Sequence, residues 1–90
     1  MTTIAHEPAR QRFITELDGQ SAHLEYEQAD EVMVITHTIV PSAIGGRGIA
    51  GDLVRTAVEY AKAEGLKVDP RCSYADGWMR KHPEHDALRA

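Results

Sequence analysis

Ninety residues with a hydrophobic fraction of 42%, a charged fraction of 27% and a formal net charge of −4 are typical of one small globular domain. The acidic balance excludes a general electrostatic basis for binding nucleic acid or a membrane surface, and no apolar run approaches the roughly 18 residues that span a bilayer. The single cysteine excludes an internal disulfide, and with no apolar leader at the N-terminus it favours the reducing cytoplasm.

The first predicted elements form a β-hairpin behind a loose lead-in. We expect one minimal domain over residues 1–90, with residues 1–10 as the lead-in. Strands over residues 13–17 and 21–28 flank an Asp-Gly turn, and in the second strand apolar and polar residues alternate, which indicates one buried face. The next strand, residues 32–40, is apolar and β-branched on both faces, a pattern typical of a central strand covered on both sides.

A helix follows a glycine-rich turn. It begins near Gly48, and its apolar stripe continues until Gly65 stops it. A short strand over residues 66–68 and a last helix over residues 73–81 complete the pattern, and Pro83 ends that helix. The order is β-β-β-α-β-α. We therefore predict an α/β (α+β) fold with a mixed sheet, in which antiparallel N-terminal strands precede a right-handed parallel βαβ unit.

The turn itself, within TIVPSAIGGRGIAGDLV at residues 38–54, indicates an anion site. It carries three glycines: Gly45, Gly46 and Gly48. They leave the backbone bare before a helix N-terminus, where unpaired amides and the helix dipole attract phosphate, and Arg47 adds a charge at the rim. The alternative is a tight loop that only needs positive φ. The G-x-G-x-x-G match at residues 46–51, with Asp69 as a ribose partner, does not indicate a dinucleotide fold, because the chain has room for one βαβ unit.

The segment VPSAIGGRGIAGDLV resembles the acetyl-coenzyme A binding motif of the GNAT superfamily of N-acetyltransferases, R/Q-x-x-G-x-G/A at the start of a helix. Gly48 and Ala50 match its last two defined positions, whereas Gly45 stands where Arg or Gln is usual. THTIVP, AVEYAKAEGLKVDPRCSYA and HPEHDAL extend the resemblance to the very small, single-domain branch of that superfamily, from about Phe13 to the end of the chain. Five further residues match positions of that branch: His37, Thr38, Cys72, Ser73 and Tyr74.

The resemblance implies an N-acetyltransferase that moves acetyl from acetyl-CoA to an amine, without a metal. Strands 32–40 and 66–68 are expected to splay apart, with the pantetheine arm of the cofactor in the gap, on the backbone of Thr38, Ile39 and Val40. The pyrophosphate is expected on the glycine turn. The residues implied there are Gly45, Gly46, Arg47, Gly48, Ile49 and Ala50. The alternative is a module that binds CoA or acyl-CoA with little or no catalysis, which the missing Arg or Gln favours.

Three side chains are candidates for the chemistry. Cys72 is expected at the mouth of the gap, where it either contacts the thioester, accepts the acetyl group transiently, or is a small buried residue. His37 alternates with Met33, Ile35 and Ile39 and is expected to share their face, so it is either a packed histidine or a general base. Tyr74 is either a packing residue or the acid that protonates the leaving thiolate, although the tyrosine position of the superfamily falls at Met79.

The remaining predictions concern the two C-terminal histidines, the acidic hairpin and the groove for the amine acceptor. His82 and His85 lack further ligands of evident geometry, so no metal site is predicted. The acidic hairpin is either a solvated face or a surface that attracts a cationic acceptor. It comprises Glu25, Glu27, Asp30 and Glu31. The short lead-in leaves the acceptor groove open, which suits a bulky acceptor such as a protein lysine or N-terminus, or completion of the site by a second subunit. The acceptor itself is expected to be a small amine or a protein amino group. The expected partners are acetyl-CoA and that amine, without nucleic acid or membrane, and the expected state is a monomer or weak homodimer.

Overall fold

The computed structural model describes residues 3–90, which form a five-stranded sheet and two α-helices. The elements, in chain order, are β1 (Ala5–Glu7), β2 (Arg12–Leu17), β3 (Gln20–Ala29), β4 (Val32–Ile39), α1 (Ile49–Ala63), β5 (Lys67–Pro70) and α2 (Ser73–Arg80). The strands lie in the sheet in chain order; β1 to β4 are antiparallel, and β4 and β5 are parallel. The predicted mixed α/β sheet with one parallel βαβ unit is confirmed.

The β2–β3 hairpin follows from its turn. Asp18 and Gly19 both have positive φ, 52° and 75°, which is the backbone that Asp-Gly favours in a two-residue hairpin turn. The two strands then pair from Leu17–Gln20 to Arg12–Glu25. The turn therefore sets the register, and the predicted strand bounds are within one residue of those observed.

The prediction of a loose lead-in is wrong for Ala5–Glu7, which forms β1 and pairs with β2 at the edge of the sheet. Met1 and Thr2 lie outside the described residues. The His6 ring stacks on Phe13 with centroids 4.2 Å apart, and its Nε2 is hydrogen-bonded to the Tyr26 hydroxyl at 2.6 Å. A strand of three residues is too short to show the alternation of apolar and polar residues by which a strand is predicted. The element order is therefore β-β-β-β-α-β-α.

The hydrophobic core lies between one face of the sheet and the two helices. Helix α1 contributes six buried side chains: Ile49, Leu53, Val54, Ala57, Val58 and Ala61. They join Phe13, Leu24 and Met33 from the strands in one cluster, to which α2 adds Trp78 and Met79. Each fully buried Val or Leu side chain stabilises the fold by roughly 1.5–3 kcal/mol. Packing of this stripe therefore holds α1 in place without help from a capping side chain at its start.

The opposite face of the sheet is open. Side chains that point there, such as Glu16, Glu25 and Val34, are exposed or half-buried. The prediction that the fourth strand is covered on both sides is therefore wrong. Its outer residues Val32 and Val34 are β-branched because such side chains suit an extended backbone, whether or not they are buried. No helix within residues 3–90 is long and apolar enough to cross a bilayer.

An extra residue in β4 changes the face on which the later side chains lie. The register with β3 pairs Tyr26 with Ile35 and then Glu25 with His37, so it skips Thr36, which forms a β-bulge. Because side chains alternate along a strand, one extra residue turns His37 to the open face and Thr38 towards the helices. The prediction that His37 shares the face of Ile35 is therefore wrong.

Candidate functional site

The parallel pair of strands opens into a gap at its C-terminal end. The ladder between β4 and β5 runs from Val32–Lys67 to Ile35–Pro70, and the Cys72 amide then donates to the Ile35 carbonyl at 3.0 Å. Beyond that bond β4 continues to Ile39, whereas the segment that follows β5 turns into α2. The two segments therefore diverge, which confirms the splayed parallel pair. The backbone of Thr38 and Ile39 lies along this gap.

The glycine turn leads from the gap into α1. Gly46 and Gly48 have φ of 78° and 75°, and a Cβ on either would have nothing within 4 Å. Gly48 is the N-cap residue of α1, and it makes no side-chain cap hydrogen bond because glycine has no side chain. The helical ladder begins with the Asp52 amide, which donates to the Gly48 carbonyl at 3.0 Å. The amides before it point out of the helix N-terminus, which makes this turn a site suited to an anion.

A cavity of about 260 Å³ lies over the turn. It is lined by Val40, Ile44, Gly45, Gly46, Gly48, Ile49, Ala50 and Tyr74. Five of the six residues implied for the pyrophosphate are in this lining, and Arg47 is the one outside it. A neighbouring cavity of about 210 Å³ is lined by Ser73, Tyr74, Gly77, Trp78 and Lys81. Because Tyr74 lines both cavities, the start of α2 forms a wall shared by them.

Arg47 is bonded to the opposite hairpin. Its Nη1 donates to Oδ2 of Asp18 at 2.7 Å, and both side chains are more than half exposed. The glycine turn is thus tied to the turn between β2 and β3. An ion pair this exposed contributes about 0–1 kcal/mol, so only a small free energy holds the Arg47 guanidinium to this carboxylate.

Cys72 lies at the mouth of the gap as the N-cap residue of α2. Burial is the largest influence on its pKa and raises it. Hydrogen bonds from the Ala75 amide, the Thr38 hydroxyl and the Tyr74 amide outweigh burial, so the pKa of the thiol is lower than its ordinary value. The sulfur lies 3.5 Å from the Thr38 Oγ1. The thiol is therefore both half-buried and more readily ionised than an ordinary cysteine.

His37 lies on the open face, beside a carboxylate. Its Nδ1 is 3.7 Å from Oε1 of Glu25, and 65% of its side-chain surface is exposed. His23 Nε2 lies 2.8 Å from the other oxygen, Oε2, of the same carboxylate. His37 is therefore a solvent-facing imidazole with an acidic neighbour, and the interpretation of a packed histidine is wrong.

A family model described as GCN5-related N-acetyl-transferase matches residues 12–88. The chain belongs to the GCN5-related N-acetyltransferase family. Protein NATD1 of Gallus gallus and protein NATD1 of Homo sapiens are each 34% identical to it over 83 residues, which is 89% of this chain and 76% and 74% of those two proteins. A GCN5-like protein from Staphylococcus aureus, solved in solution by NMR, matches the structure with a TM-score of 0.77 over 98% of this chain and 87% of that one, at 24% identity. At that identity the likeness shows the shared fold.

The backbone of this GCN5-related N-acetyltransferase chain fits the acyl donor that the family typically uses, acetyl-CoA. A diphosphate requires several N–H donors that no side chain obstructs. Gly46 and Gly48 leave open space where a Cβ would stand, and the first turn of α1 offers uncapped amides. The pantetheine portion requires extended backbone that is released from its ladder, which β4 offers beyond Ile35.

The structure brings together some predicted residues and separates others. Thr38 and Cys72 meet at the gap, and Tyr74 lies over the glycine turn with its hydroxyl 3.4 Å from where a Cβ on Gly51 would stand. His37 points away from all three, to the open face. Two partners are not predicted by the sequence pattern: Glu25, which lies beside His37, and Asp18, which is bonded to Arg47. The cross-strand register could have indicated the first only after the bulge was known.

The C-terminal histidines pack instead of forming a metal site. His82 stacks on Trp78 with ring centroids 3.8 Å apart, and its Nδ1 donates to the Trp78 carbonyl at 2.7 Å. His85 stacks on the same indole at 5.7 Å. Among residues 3–90, no group of three or more His, Cys, Asp or Glu side chains could hold a metal ion. These imidazoles therefore extend the packing of α2.

Proposed function

We propose that this protein is an acetyl-CoA dependent N-acetyltransferase that acetylates an amine. The observation that carries the proposal is the uncapped N-terminus of α1 behind a positive-φ glycine turn, at the point where β4 and β5 diverge. In this assignment the amides of residues 46–50 hold the diphosphate, with Gly45 at the edge of the cradle and Arg47 as a counter-charge. The backbone of Thr38, Ile39 and Val40 holds the pantetheine portion.

Acetyl transfer to an amine places three demands on the side chains. A proton must leave the ammonium, the nitrogen must attack the thioester carbonyl, and the C–S bond must break with its electrons left on sulfur. We assign the removal of the ammonium proton to His37, as the general base. The Thr38 hydroxyl and the Cys72 thiol lie 3.5 Å apart at the gap, and we assign to them the stabilisation of the departing sulfur. Tyr74 is the other candidate, as the acid that protonates this sulfur. Bound acetyl-CoA supplies the activated acyl group.

The acceptor is proposed to be a small amine or a protein amino group, because the sheet face beside His37 is open. The proposed working form is one domain over residues 1–90, as a monomer or weak homodimer in the cytoplasm. Cys72 is a free thiol in the structure, which suits a reducing compartment.

Calorimetric titration with acetyl-CoA tests the proposal, with NADH and ATP as controls for selectivity. The sharpest variant pair is Ala50→Glu and Ala50→Gln. Both suit the first turn of a helix, but only Glu adds a negative charge beside the amides. We expect Ala50→Glu to lose affinity more than about tenfold, equivalent to ~1.4 kcal/mol, and Ala50→Gln to lose little. Absence of acetyl-CoA binding in the wild-type protein would overturn the proposal.

A module that binds CoA or acyl-CoA without efficient catalysis is the second candidate. It is favoured by Gly45, which provides no side-chain donor where the family motif has Arg or Gln. The two candidates differ in one measurement, the release of free CoA thiol from acetyl-CoA when amines are added. Release that depends on the amine identifies a transferase, and binding without release identifies the module. Intact mass of the protein after incubation with acetyl-CoA shows whether Cys72 carries an acetyl group.

A further inference from the structure

The open face of the sheet carries a polar cluster that the proposed acyl-donor site does not use. Glu25 on β3 lies between two imidazoles: His23, two residues before it on the same face, and His37, directly across from it on β4. The Glu25–His23 contact is 2.8 Å, and the Glu25–His37 contact is 3.7 Å. The bulge at Thr36 is the reason that His37 faces this carboxylate.

The charge of Glu25 is not neutralised by an arginine or lysine. Arg12 lies directly across from Glu25 on β2, but its guanidinium is bonded to Glu7. Within residues 3–90, the ion-pair contacts of Glu25 are those with the two imidazoles. The Glu25 carboxylate lies on a surface that Glu27, on the same strand face, makes more negative.

The spacing of the cluster suits a ligand with several N–H donors. A separation of 3.7 Å between Glu25 Oε1 and His37 Nδ1 is longer than a hydrogen bond. One donor group placed between the two atoms can reach both of them. An ammonium group has three N–H donors and a positive charge, so it satisfies the carboxylate and the imidazole together. A neutral hydroxyl has one donor and no positive charge, so it can donate to the carboxylate or to the imidazole but cannot satisfy both or pair with the charge.

We propose that Glu25, with His23 and His37, binds the ammonium group of a cationic primary alkylamine, which is the acceptor of the transferase reaction. The inference rests on the proposed function, because it names the acceptor class of that reaction. His23 holds Oε2 and so fixes the carboxylate, while Oε1 faces the ligand. Glu25 is the counter-ion, and His37 Nδ1 takes the proton.

The proton that the ammonium loses is taken up within the cluster. An N–H bond of the ammonium breaks, an N–H bond forms on His37 Nδ1, and the electron pair remains on the amine nitrogen as the nucleophile. The imidazolium so formed lies 3.7 Å from the Glu25 carboxylate, which stabilises it. His37 immediately precedes Thr38, whose side chain points to the Cys72 gap on the other side of β4. Amine activation and sulfur departure are therefore assigned to opposite faces of one strand.

The test uses n-butylamine as the probe and n-butanol as its uncharged match. Each is titrated into the CoA-loaded protein while the imidazole signals of His23 and His37 are followed by NMR. The variants are Glu25→Gln and Glu27→Gln. Both remove one negative charge from the same face of β3, but Glu27 pairs with Val34, away from the imidazoles. Acetyl-CoA affinity is measured for each protein by calorimetry, and the release of CoA from acetyl-CoA by n-butylamine gives the rate.

We expect n-butylamine, and not n-butanol, to shift the His37 signals at millimolar concentration. Glu25→Gln is expected to weaken this binding and to lower kcat/KM for the amine at least tenfold, with acetyl-CoA affinity unchanged, while Glu27→Gln behaves as wild type. Equal responses to the two probes, or wild-type amine binding in Glu25→Gln, would overturn the site. Amine binding at His37 without any CoA release supports this site and overturns the transferase function. CoA release that is unaffected by Glu25→Gln supports the function and overturns the site.

Discussion

The Thr38 hydroxyl lies 3.5 Å from the Cys72 sulfur, and this contact links the end of β4 to the first turn of α2. Thr38 reaches the sulfur because the bulge at Thr36 turns it towards the helices. Burial raises the pKa of the Cys72 thiol, but the Ala75 amide and this hydroxyl are among the hydrogen-bond donors that together lower it below its ordinary value. The reactivity of the thiol therefore depends on a residue 34 positions away in the chain.

Replacing Thr38 with Val removes the hydroxyl at nearly constant volume. We expect the pKa of Cys72 to rise, so that alkylation by iodoacetamide at pH 7 slows roughly two- to tenfold, the range of one hydrogen bond of ~1 kcal/mol. The rates should converge at high pH, where both thiols are ionised. Thr56→Val is the control, since it removes a hydroxyl that donates to the Asp52 carbonyl on α1. Equal alkylation rates at pH 7 in all three proteins would contradict a role for Thr38.

Gly48→Ala tests the left-handed backbone at the start of α1. Its Cβ would stand in open space, but φ of 75° strains any residue with a Cβ. We expect a loss of roughly 1 kcal/mol in the free energy of unfolding, which lowers Tm by roughly 4–8 °C in a domain of this size. Gly45→Ala is the matched control, because φ there is −67° and its Cβ would meet the Ser42 carbonyl oxygen at an ordinary 3.4 Å. Equal Tm losses in both variants would mean that backbone strain at Gly48 is not the cause.

Asp18→Asn tests whether the carboxylate on Arg47 competes with the acyl donor. The change breaks a charge pair of 2.7 Å and suits the backbone, because Asn tolerates the positive φ of 52° at this position. We expect acetyl-CoA to bind about two- to fivefold more tightly at low salt, corresponding to an exposed pair of at most ~1 kcal/mol. The gain should shrink in high salt, where exposed charges are screened.

Calorimetry at two salt concentrations measures this effect. Glu16→Gln is the control, because it removes an exposed charge from the same hairpin without touching Arg47. Weaker acetyl-CoA binding in Asp18→Asn would instead show that the ion pair holds the glycine turn in its binding conformation.

His6 makes the attachment of β1 sensitive to pH. Burial lowers the pKa of His6 from its ordinary value of 6.5, so the unfolded chain takes up this proton at a higher pH than the folded chain. Stability from this group is therefore full above pH 6.5 and declines as the pH falls through that value towards the lowered pKa. We expect His6→Gln to flatten the decline between pH 7.5 and 5. Urea unfolding at several pH values measures it, with the solvent-exposed His37→Gln as control, and an equal slope in wild type and His6→Gln would refute the prediction.

The sequence predicts the elements that depend on local patterns. The hairpin turn at Asp18 and Gly19, the glycine turn before α1 and the stop at Gly65 each require a particular backbone that only a few residue types adopt readily. The apolar stripe of α1 predicts its buried face. The splayed pair of strands, by contrast, comes from the resemblance to a family and not from the period of the residues.

Features that depend on register or on long-range placement could not be predicted in this way. Thr36 is an ordinary strand residue, so nothing in its identity indicates a bulge. The bulge reverses the predicted faces of the side chains that follow it in β4. β1 is held by its ladder with β2 and by the contacts of His6, one of which joins it to Tyr26, 20 positions away in the sequence. The Asp18–Arg47 pair joins residues 29 positions apart.

The bulge at Thr36 means that the length of β4, and not only its composition, decides what each side of the strand does. Deleting Thr36 would restore plain alternation and exchange the surroundings of His37 and Thr38 in one step, with an imidazole placed in hydrocarbon and a hydroxyl in water. No single substitution has that effect. Mutation can therefore vary the outer side chains of this strand independently of the inner ones, whereas the gain or loss of one residue here changes both sides together.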